Sequence, residues 1–442
     1  MEERRRLLVL IAATTGAILI PLNTGMLSVA LTPITGAFHV PVATGTWLIL
    51  LYLLLMTSLQ PSAGKLGDRY GHRRIFLVGL LTFALASAGA ALAPTFGWLI
   101  LLRGLQGVAG ATLAPNATAL IRLAYPVERQ GQAMGLYVGA FSLGLTLGPV
   151  FGGLLINTLG WQATFWINLP IALFAAWLGQ RTLPTGTGNE TVAFDWWGSS
   201  IFAVLIGGAV VAVNLWKEGR LPFPIWAVLP ALALLGLALY WVEERAQDPL
   251  LRIGLFLLPG FGASNAAIYC VHTVMYTVML AVPIYLEEAR GLSATTAGLY
   301  MAVFAVLQVA VAPVAGRLSD RLDRRQLVGV AGVFFLLGAG VLWRLNMATA
   351  LVWVPLGLAL VGTGVGLTTA PVQAALLSAC PPGLVGVGSG LWYSSRYLGN
   401  ISGALLTSLL LPANPGQGAH GLYTVLGVAA VLLTASSRFL KN

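Results

Sequence analysis

The chain alternates between long apolar runs and short polar punctuation. The runs lie at 7–33, 44–62, 75–93, 97–121, 131–157, 164–180, 196–216, 224–242, 260–286, 294–315, 327–344, 350–374, 385–411 and 420–437. Each is near the roughly 20 mostly apolar residues that a helix needs to cross hydrocarbon. None shows the alternation over about 10 residues that marks a barrel strand. Lipid offers no partner to backbone N–H and C=O groups, so runs this apolar predict helices. The expectation is an all-α membrane protein of fourteen spans, numbered 1 to 14 in chain order. Most joins are short and carry turn residues, as in Ala93-Pro94-Thr95-Phe96-Gly97.

Composition agrees. Hydrophobic residues make up 57% of the 442 positions and charged ones 9%, against roughly 25% charged in soluble domains. The net charge of +10 is explained by position. With the N-terminus inside, eighteen of the 24 Lys and Arg residues fall in cytoplasmic segments, and only Lys217, Arg220, Arg290 and Arg344 fall outside. That bias follows the positive-inside rule and predicts a multi-pass protein of the cell inner (plasma) membrane with both termini cytoplasmic. Nucleic acid is not needed to account for the charge. Arg4-Arg5-Arg6 before an apolar run imitates a signal peptide, but the run reaches Ala30 without a convincing small-residue cleavage site, so a retained first helix is expected. Cys270 and Cys380 form neither a disulfide pattern nor a metal site.

An internal repeat is visible. Gly64-Lys65-Leu66-Gly67-Asp68-Arg69-Tyr70-Gly71-His72-Arg73-Arg74 joins spans 2 and 3. Gly316-Arg317-Leu318-Ser319-Asp320-Arg321-Leu322-Asp323-Arg324-Arg325 joins spans 10 and 11, 252 residues later. The organisation expected is a six-helix half over 1–182, an insert with two extra spans over 183–256, and a second six-helix half over 257–442. Parallel repeats of this kind place a substrate site at the membrane midplane. Asp68 is suited to accept hydrogen bonds from a helix N-terminus or an arginine, which makes the loop a candidate conformational latch.

These residues resemble the signature loop of the major facilitator superfamily, and the resemblance runs over essentially the whole chain. It implies latch roles for Gly64, Asp68, Arg69, Gly71 and Arg73, and for Asp320 and Arg321 in the second copy, where Asp323 stands in place of the glycine. In span 5, Gly135, Gly144, Gly148-Pro149 and Gly152-Gly153 resemble the family's antiporter pattern, which goes with export; glycines on one helix face also allow close helix packing. Arg103-Gly104-Leu105-Gln106-Gly107 in span 4 is similar to the family's R-x-x-Q-G motif. A charge within a span costs about 2.5–3.5 kcal/mol on insertion scales, and two readings stay open for Arg103: a cavity group that binds substrate or tunes a proton site, or a structural arginine bonded to helix carbonyls. The same choice applies to Arg396 in Ser394-Ser395-Arg396. The segment from Trp161 to Pro170, with Asp195-Trp196-Trp197-Gly198 and Asp248-Pro249-Leu250-Leu251 bracketing the extra spans, resembles the fourteen-helix drug:proton antiporters.

One departure bears on coupling. Those antiporters carry an aspartate in span 1 as a protonation site, and here Asn23 stands there, in Leu22-Asn23-Thr24. No Asp or Glu lies near the middle of any span. His272 in span 9 is the remaining side chain suited to proton exchange near neutral pH. With Asn23, Gln106, Tyr276, Arg103 and Arg396 it forms the candidate cavity or coupling set. Asn116, Asn265, Tyr269, Gln308 and Gln373 are further polar positions. Two arginines without a carboxylate favour neutral, amphipathic or anionic cargo over dications. The expected activity is secondary transport by alternating access: export of hydrophobic or amphipathic small molecules in exchange for protons, or, as an alternative, lipid or glycolipid translocation. No catalytic, metal or cofactor motif appears: Gly416, Gly418 and Gly421 fit G-x-G-x-x-G but follow no strand. No cofactor and no enzymatic activity are expected, and the family habit implies a monomer.

Overall fold

The computed structural model describes residues 2–40, 42–45, 47–185, 188, 195–217, 219–222, 224–246, 249, 253–292, 294–346, 349–381, 384–410, 420–438 and 440. Asp248, Leu250, Leu251, Gly416 and Gly418 lie outside these. Among the described residues the regular structure is helical throughout. The helices are α1 (Glu2–Ala17), α2 (Leu19–Ala37), α3 (Val42–Gly45), α4 (Trp47–Tyr70), α5 (His72–Ala91), α6 (Phe96–Ala124), α7 (Gln130–Leu159), α8 (Ala163–Trp166) and α9 (Asn168–Thr182). They continue with α10 (Trp196–Lys217), α11 (Leu229–Arg245), α12 (Ile253–Leu257), α13 (Pro259–Ile284), α14 (Ala294–Ser319), α15 (Arg324–Trp343), α16 (Trp353–Ala379), α17 (Val385–Leu410) and α18 (His420–Ser437).

Twelve helical stretches among the described residues are long and apolar enough to cross a membrane. They account for the expected spans other than 7 and 13. Span 7 is α10, whose apolar stretch Trp196–Ala209 is shorter than the rest. Span 13 is α17, which has the length but carries Ser389, Ser394, Ser395, Arg396 and Asn400 along it. Span 1 is two helices in one stretch, Glu3–Leu27. The break at Ile18 has a local cause: Pro21 has no N–H to give to the Ala17 carbonyl. Other boundaries follow the turn residues. Gly71 separates α4 from α5 at φ 93°, a conformation that costs glycine little. Thr95 caps α6 by accepting from the Trp98 amide at 3.3 Å, and Asp195 caps α10 by accepting from Gly198 N at 2.7 Å, both ordinary N-cap chemistry.

The chain divides into two compact units: residues 1–125, 144–252 and 381–394 form one, and residues 126–143, 253–380 and 395–442 the other. In the first, α6 packs on α4, α5 and α1, around a core that includes Leu27, Ile34, Leu48, Leu99, Trp161 and Phe165. In the second, α16 packs on α14, α15 and α13, and α15 on α18. The two central crossings correspond. A Cβ on Gly107 of α6 would stand 2.7 Å from the Tyr52 carbonyl of α4, and one on Gly362 of α16 would stand 2.5 Å from the Phe304 carbonyl of α14. Backbones approach this closely only where a side chain is missing. Leu85, Leu234, Leu237 and Leu299 are exposed on their helices, an arrangement suited to hydrocarbon rather than water.

Candidate functional site

The two repeat loops each deliver a carboxylate to a helix N-terminus. Asp68, in the last turn of α4, accepts from Gly386 N at 2.9 Å through Oδ1 and from Val387 N at 3.0 Å through Oδ2. Those amides belong to the first turn of α17. Asp320, just past α14, accepts from Gly131 N and Gln132 N of α7, both at 2.8 Å, through Oδ1 and Oδ2. The first amides of a helix have no intrahelical acceptor and carry partial positive charge, so a carboxylate there satisfies two donors at once. Burial pushes the Asp320 carboxyl above its ordinary range, against the downward pull of the two backbone donors and the Arg324 charge.

The flanking residues explain how the loops are held. Gly64 packs directly on the Gly386 backbone, with no room for a Cβ. Arg73 donates to the Gln180 carbonyl, and Arg69 lies over the Tyr70 ring at 5.1 Å. Arg321 follows Asp320 in the second loop. Asp323 departs from the glycine pattern for a local reason: its backbone is extended, and its side chain caps α15 by accepting from Arg325 N at 2.9 Å. No left-handed residue is needed there. His72 opens α5, with Nε2 3.3 Å from Asp68 Oδ1 and Nδ1 2.8 Å from Asn116 Oδ1. Asn116 therefore belongs to this loop site.

The span 5 glycines serve two contacts. A Cβ on Gly135 would meet Ala312 O of α14 at 2.8 Å. One on Gly144 would meet the Ile18 side chain at 2.6 Å, one on Gly148 would meet the Gly25 Cα of α2 at 2.7 Å, and one on Gly152 would meet Met26 Cα at 2.9 Å. Gly153 faces open space, and Pro149 follows Gly148 within α7. Helix α17 repeats this arrangement. Gly386, Gly390, Gly399 and Gly403 have the same spacing as Gly131, Gly135, Gly144 and Gly148, 255 residues later. Gly390 packs on Gln60 and Pro61 of α4, whereas Gly399 and Gly403 pack on Tyr269 and Thr273 of α13. These four glycines escaped the sequence analysis, although their spacing was there to be matched.

Two arginines stand within apolar helices, Arg103 fully buried and Arg396 half-buried. Arg103 is 0% exposed. Its Nε donates to Leu48 O at 3.0 Å, and its Nη1 donates to Asn23 Oδ1 at 2.5 Å and Gln106 Oε1 at 2.7 Å. Gln106 donates onward to Ser87 Oγ at 2.6 Å, and the Tyr52 ring lies 4.3 Å from the guanidinium carbon. Every partner is neutral, and Nη2 has no hydrogen-bond partner among the described residues. Asn23, Arg103 and Gln106 are thus brought together. Arg396 of α17 lies over the Phe141 ring at 4.6 Å, and its buried Nε has no hydrogen-bond partner among the described residues. Buried His272 pairs Nδ1 with Asn400 Oδ1 at 2.9 Å, and Tyr276 lies half-buried one turn further along α13. Around them Asn265 accepts from Ser395 Oγ at 2.9 Å, Tyr269 Oη meets Ser402 Oγ at 2.8 Å, and Gln308 donates to Ser142 Oγ at 3.1 Å.

A helical fold with twelve stretches long and apolar enough to cross a membrane, two carboxylates each capping a helix N-terminus, and polar groups held among apolar helices is the frame in which the comparisons with known proteins are set. The chain belongs to the major facilitator superfamily: the model for the family described as "Major Facilitator Superfamily" matches residues 13–404 and again 265–441. It is 31% identical over 437 residues to the "Uncharacterized MFS-type transporter YvkA" of Bacillus subtilis (strain 168), covering 98% of this chain and 95% of that one. It is also 31% identical over 417 residues to the "Multidrug resistance protein Stp" of Mycobacterium tuberculosis (strain CDC 1551 / Oshkosh), covering 92% and 76%. The fold is similar to that of the proton:xylose symporter XylE, with a TM-score of 0.71, 16% identity, and coverage of 98% and 95%. The protein is therefore a transporter of this superfamily, with drug-type transporters among its relatives.

Proposed function

We propose that the protein is a secondary active exporter of hydrophobic or amphipathic small molecules, neutral or anionic, working by alternating access in exchange for protons. Residues 1–182 and 257–442 act as the two rocking halves, with 183–256 as an insert. On this reading α10 and α17 complete a set of fourteen spans, both termini are cytoplasmic, the membrane is the cell membrane, and the working unit is a monomer. Asp68 and Asp320 are the latches. His272 is the candidate proton carrier within the spans, and Tyr276, Arg103, Gln106, Asn23 and Arg396 belong to the cavity or coupling set.

The observation that carries the choice of cargo is Arg103, fully buried with only neutral partners among the described residues. A dication entering such an interior would face an uncompensated positive charge, whereas a neutral or anionic group would not. Similarity to a protein named for multidrug resistance supports efflux. Flux in proteoliposomes tests the reading, with an anionic dye and a cationic dye compared with and without an imposed pH gradient. Gradient-dependent movement of the anionic dye, reduced by His272→Ala, is expected. Movement confined to the cationic dye would overturn it. A second reading, lipid translocation, draws on the absence of a mid-span carboxylate, and gradient-independent movement of a fluorescent lipid would favour it.

A further inference from the structure

The two loop carboxylates each accept from two successive backbone amides but differ in the side chain beside them. Four residues after Asp320 stands Arg324, a permanent cation whose charge bears on that carboxylate. Four residues after Asp68 stands His72, 3.3 Å away. The hydrogen bonds around His72 fix the proton on its other nitrogen. Asn116 Nδ2 donates to Ala63 O at 3.2 Å and to Thr112 O at 2.8 Å. Both are carbonyls, so the amide nitrogen must face them and Oδ1 must face His72 Nδ1. An amide oxygen only accepts, so Nδ1 carries hydrogen in either charge state. In the neutral ring Nε2 then presents a lone pair to the Asp68 carboxylate, which is repulsive. Adding one proton converts that contact into a charge-assisted hydrogen bond.

We infer that His72 is a proton-binding site that controls the Asp68 latch, with the proton bound between Nε2 and Asp68 Oδ1 strengthening the grip on the first turn of α17. The Asp68 side chain is 2% exposed and that of His72 12%, so water screens the pair weakly yet can still deliver the proton. Among the described residues the charged groups around the ring are few. On α4 they are Asp68 and Arg69, with buried Lys65 a turn earlier. On α5 they are Arg73, which points to the Gln180 carbonyl, and Arg74. From α6 the facing group is the neutral Asn116, and from α17 it is the Gly386 backbone. The helix N-terminus at His72 opposes an added positive charge, and Asp68 in direct contact favours it. The direction follows from the contact itself: only the doubly protonated ring donates from Nε2 to Asp68, so the latched state is favoured on the acidic side of the ordinary histidine range. The Asp320 latch, influenced by a permanent arginine charge, lacks this dependence over the same interval.

This inference rests on the latch role proposed above, but its test does not need a known cargo. The full chain in nanodiscs is examined by amide hydrogen exchange at about pH 6 and about pH 8.5, either side of the ordinary histidine range, with rates corrected for intrinsic exchange. In the wild type, protection over 384–390 is expected to fall about tenfold or more at the higher pH, the size of one charge-assisted hydrogen bond, while protection over 130–136 stays level. His72→Arg should hold 384–390 protected at both pH values, and His72→Gln should leave it weakly protected at both. Arg324→His should transfer the pH dependence to 130–136. A wild type with level protection at 384–390, or a His72→Arg variant that keeps the wild-type dependence, would overturn the assignment. Loss of cargo flux with these exchange results intact would count against the transport reading alone.

Discussion

Replacing Gly148 and Gly153 separately by alanine distinguishes helix packing from simple possession of a family pattern. A Cβ at Gly148 would stand 2.7 Å from Gly25 Cα and 2.9 Å from the Leu22 carbonyl, whereas ordinary Cβ contacts lie at 3.4–4 Å. Both neighbours are backbone, so α2 and α7 must move apart. Overpacking of this kind costs about 1–3 kcal/mol, offset by about 0.5–1 kcal/mol gained when alanine replaces a helical glycine. Gly153 has no atom within 4 Å of its added Cβ, so only the gain applies. Gly403 on α17 resembles Gly148, with Thr273 O at 2.6 Å and Thr277 N at 3.0 Å. Thermal unfolding in detergent should therefore place Gly148→Ala and Gly403→Ala below the wild type and Gly153→Ala at or above it. A Gly153→Ala variant as damaged as Gly148→Ala would refute the packing argument. So would a Gly403→Ala variant indistinguishable from the wild type.

Other expectations concern the carboxylates and the buried arginine. Asp68→Ala and Asp320→Ala each strip two amides of an ionised acceptor, at about 1.5–3 kcal/mol per charged hydrogen bond before relaxation. Amide exchange should rise at 386–387 in the first variant and at 131–132 in the second; equal protection in variant and wild type would show that the caps are idle. For Asp320, burial raises the carboxyl pKa, so the folded state binds the proton more tightly than the unfolded chain. Stability from this group is present below the ordinary carboxylate pKa and is lost as pH rises through the raised one. Thermal stability followed through the acidic range should show that decline in the wild type and not in Asp320→Asn; parallel curves would contradict it. Asn23→Asp places a carboxylate beside Arg103 Nη1, where the Asn23 oxygen now lies at 2.5 Å. Flux assays should then show cationic dye gaining relative to anionic dye, and an unchanged ratio would remove Arg103 from the selectivity argument.

The apolar runs were readable because a membrane span must be long and continuous, and twelve of them reappear as helices of crossing length. The two others had weaker signals for separate reasons: α10 has a shorter apolar stretch, and α17 is interrupted by serines, Arg396 and Asn400. Asp68 stood out because its neighbours recur 252 residues later, but its partners at 386 and 387 lie in a segment that shares no motif with it. Arg103 was conspicuous as a charge in a span, whereas its hold on Asn23, 80 residues earlier, depends on how α2 and α6 come together. The tie between His72 and Asn116, 44 residues apart, was hidden for the same reason. Local spacing reveals what a residue is prepared to do; its partner is chosen by packing between elements remote in sequence.

The recurrence of the glycine spacing in α17 changes what that spacing can be taken to mean. If the pattern in α7 were tied to export as such, one copy would suffice, and nothing would require Gly386, Gly390, Gly399 and Gly403 to repeat the intervals of Gly131, Gly135, Gly144 and Gly148. The contacts supply the common cause. In each copy the first pair of glycines meets one helix, α14 or α4, and the second pair meets another, Ile18 with α2, or α13. A helix that crosses two neighbours at backbone distance needs gaps on one face at both crossings, whichever way cargo moves. The features that differ between copies are better placed to carry specificity and coupling. Gly71 corresponds to Asp323 across the repeat, and His72 to Arg324. The close crossings are what the two repeats share, whereas the side chain four residues after the capping carboxylate is where they differ, an imidazole beside Asp68 and a guanidinium after Asp320.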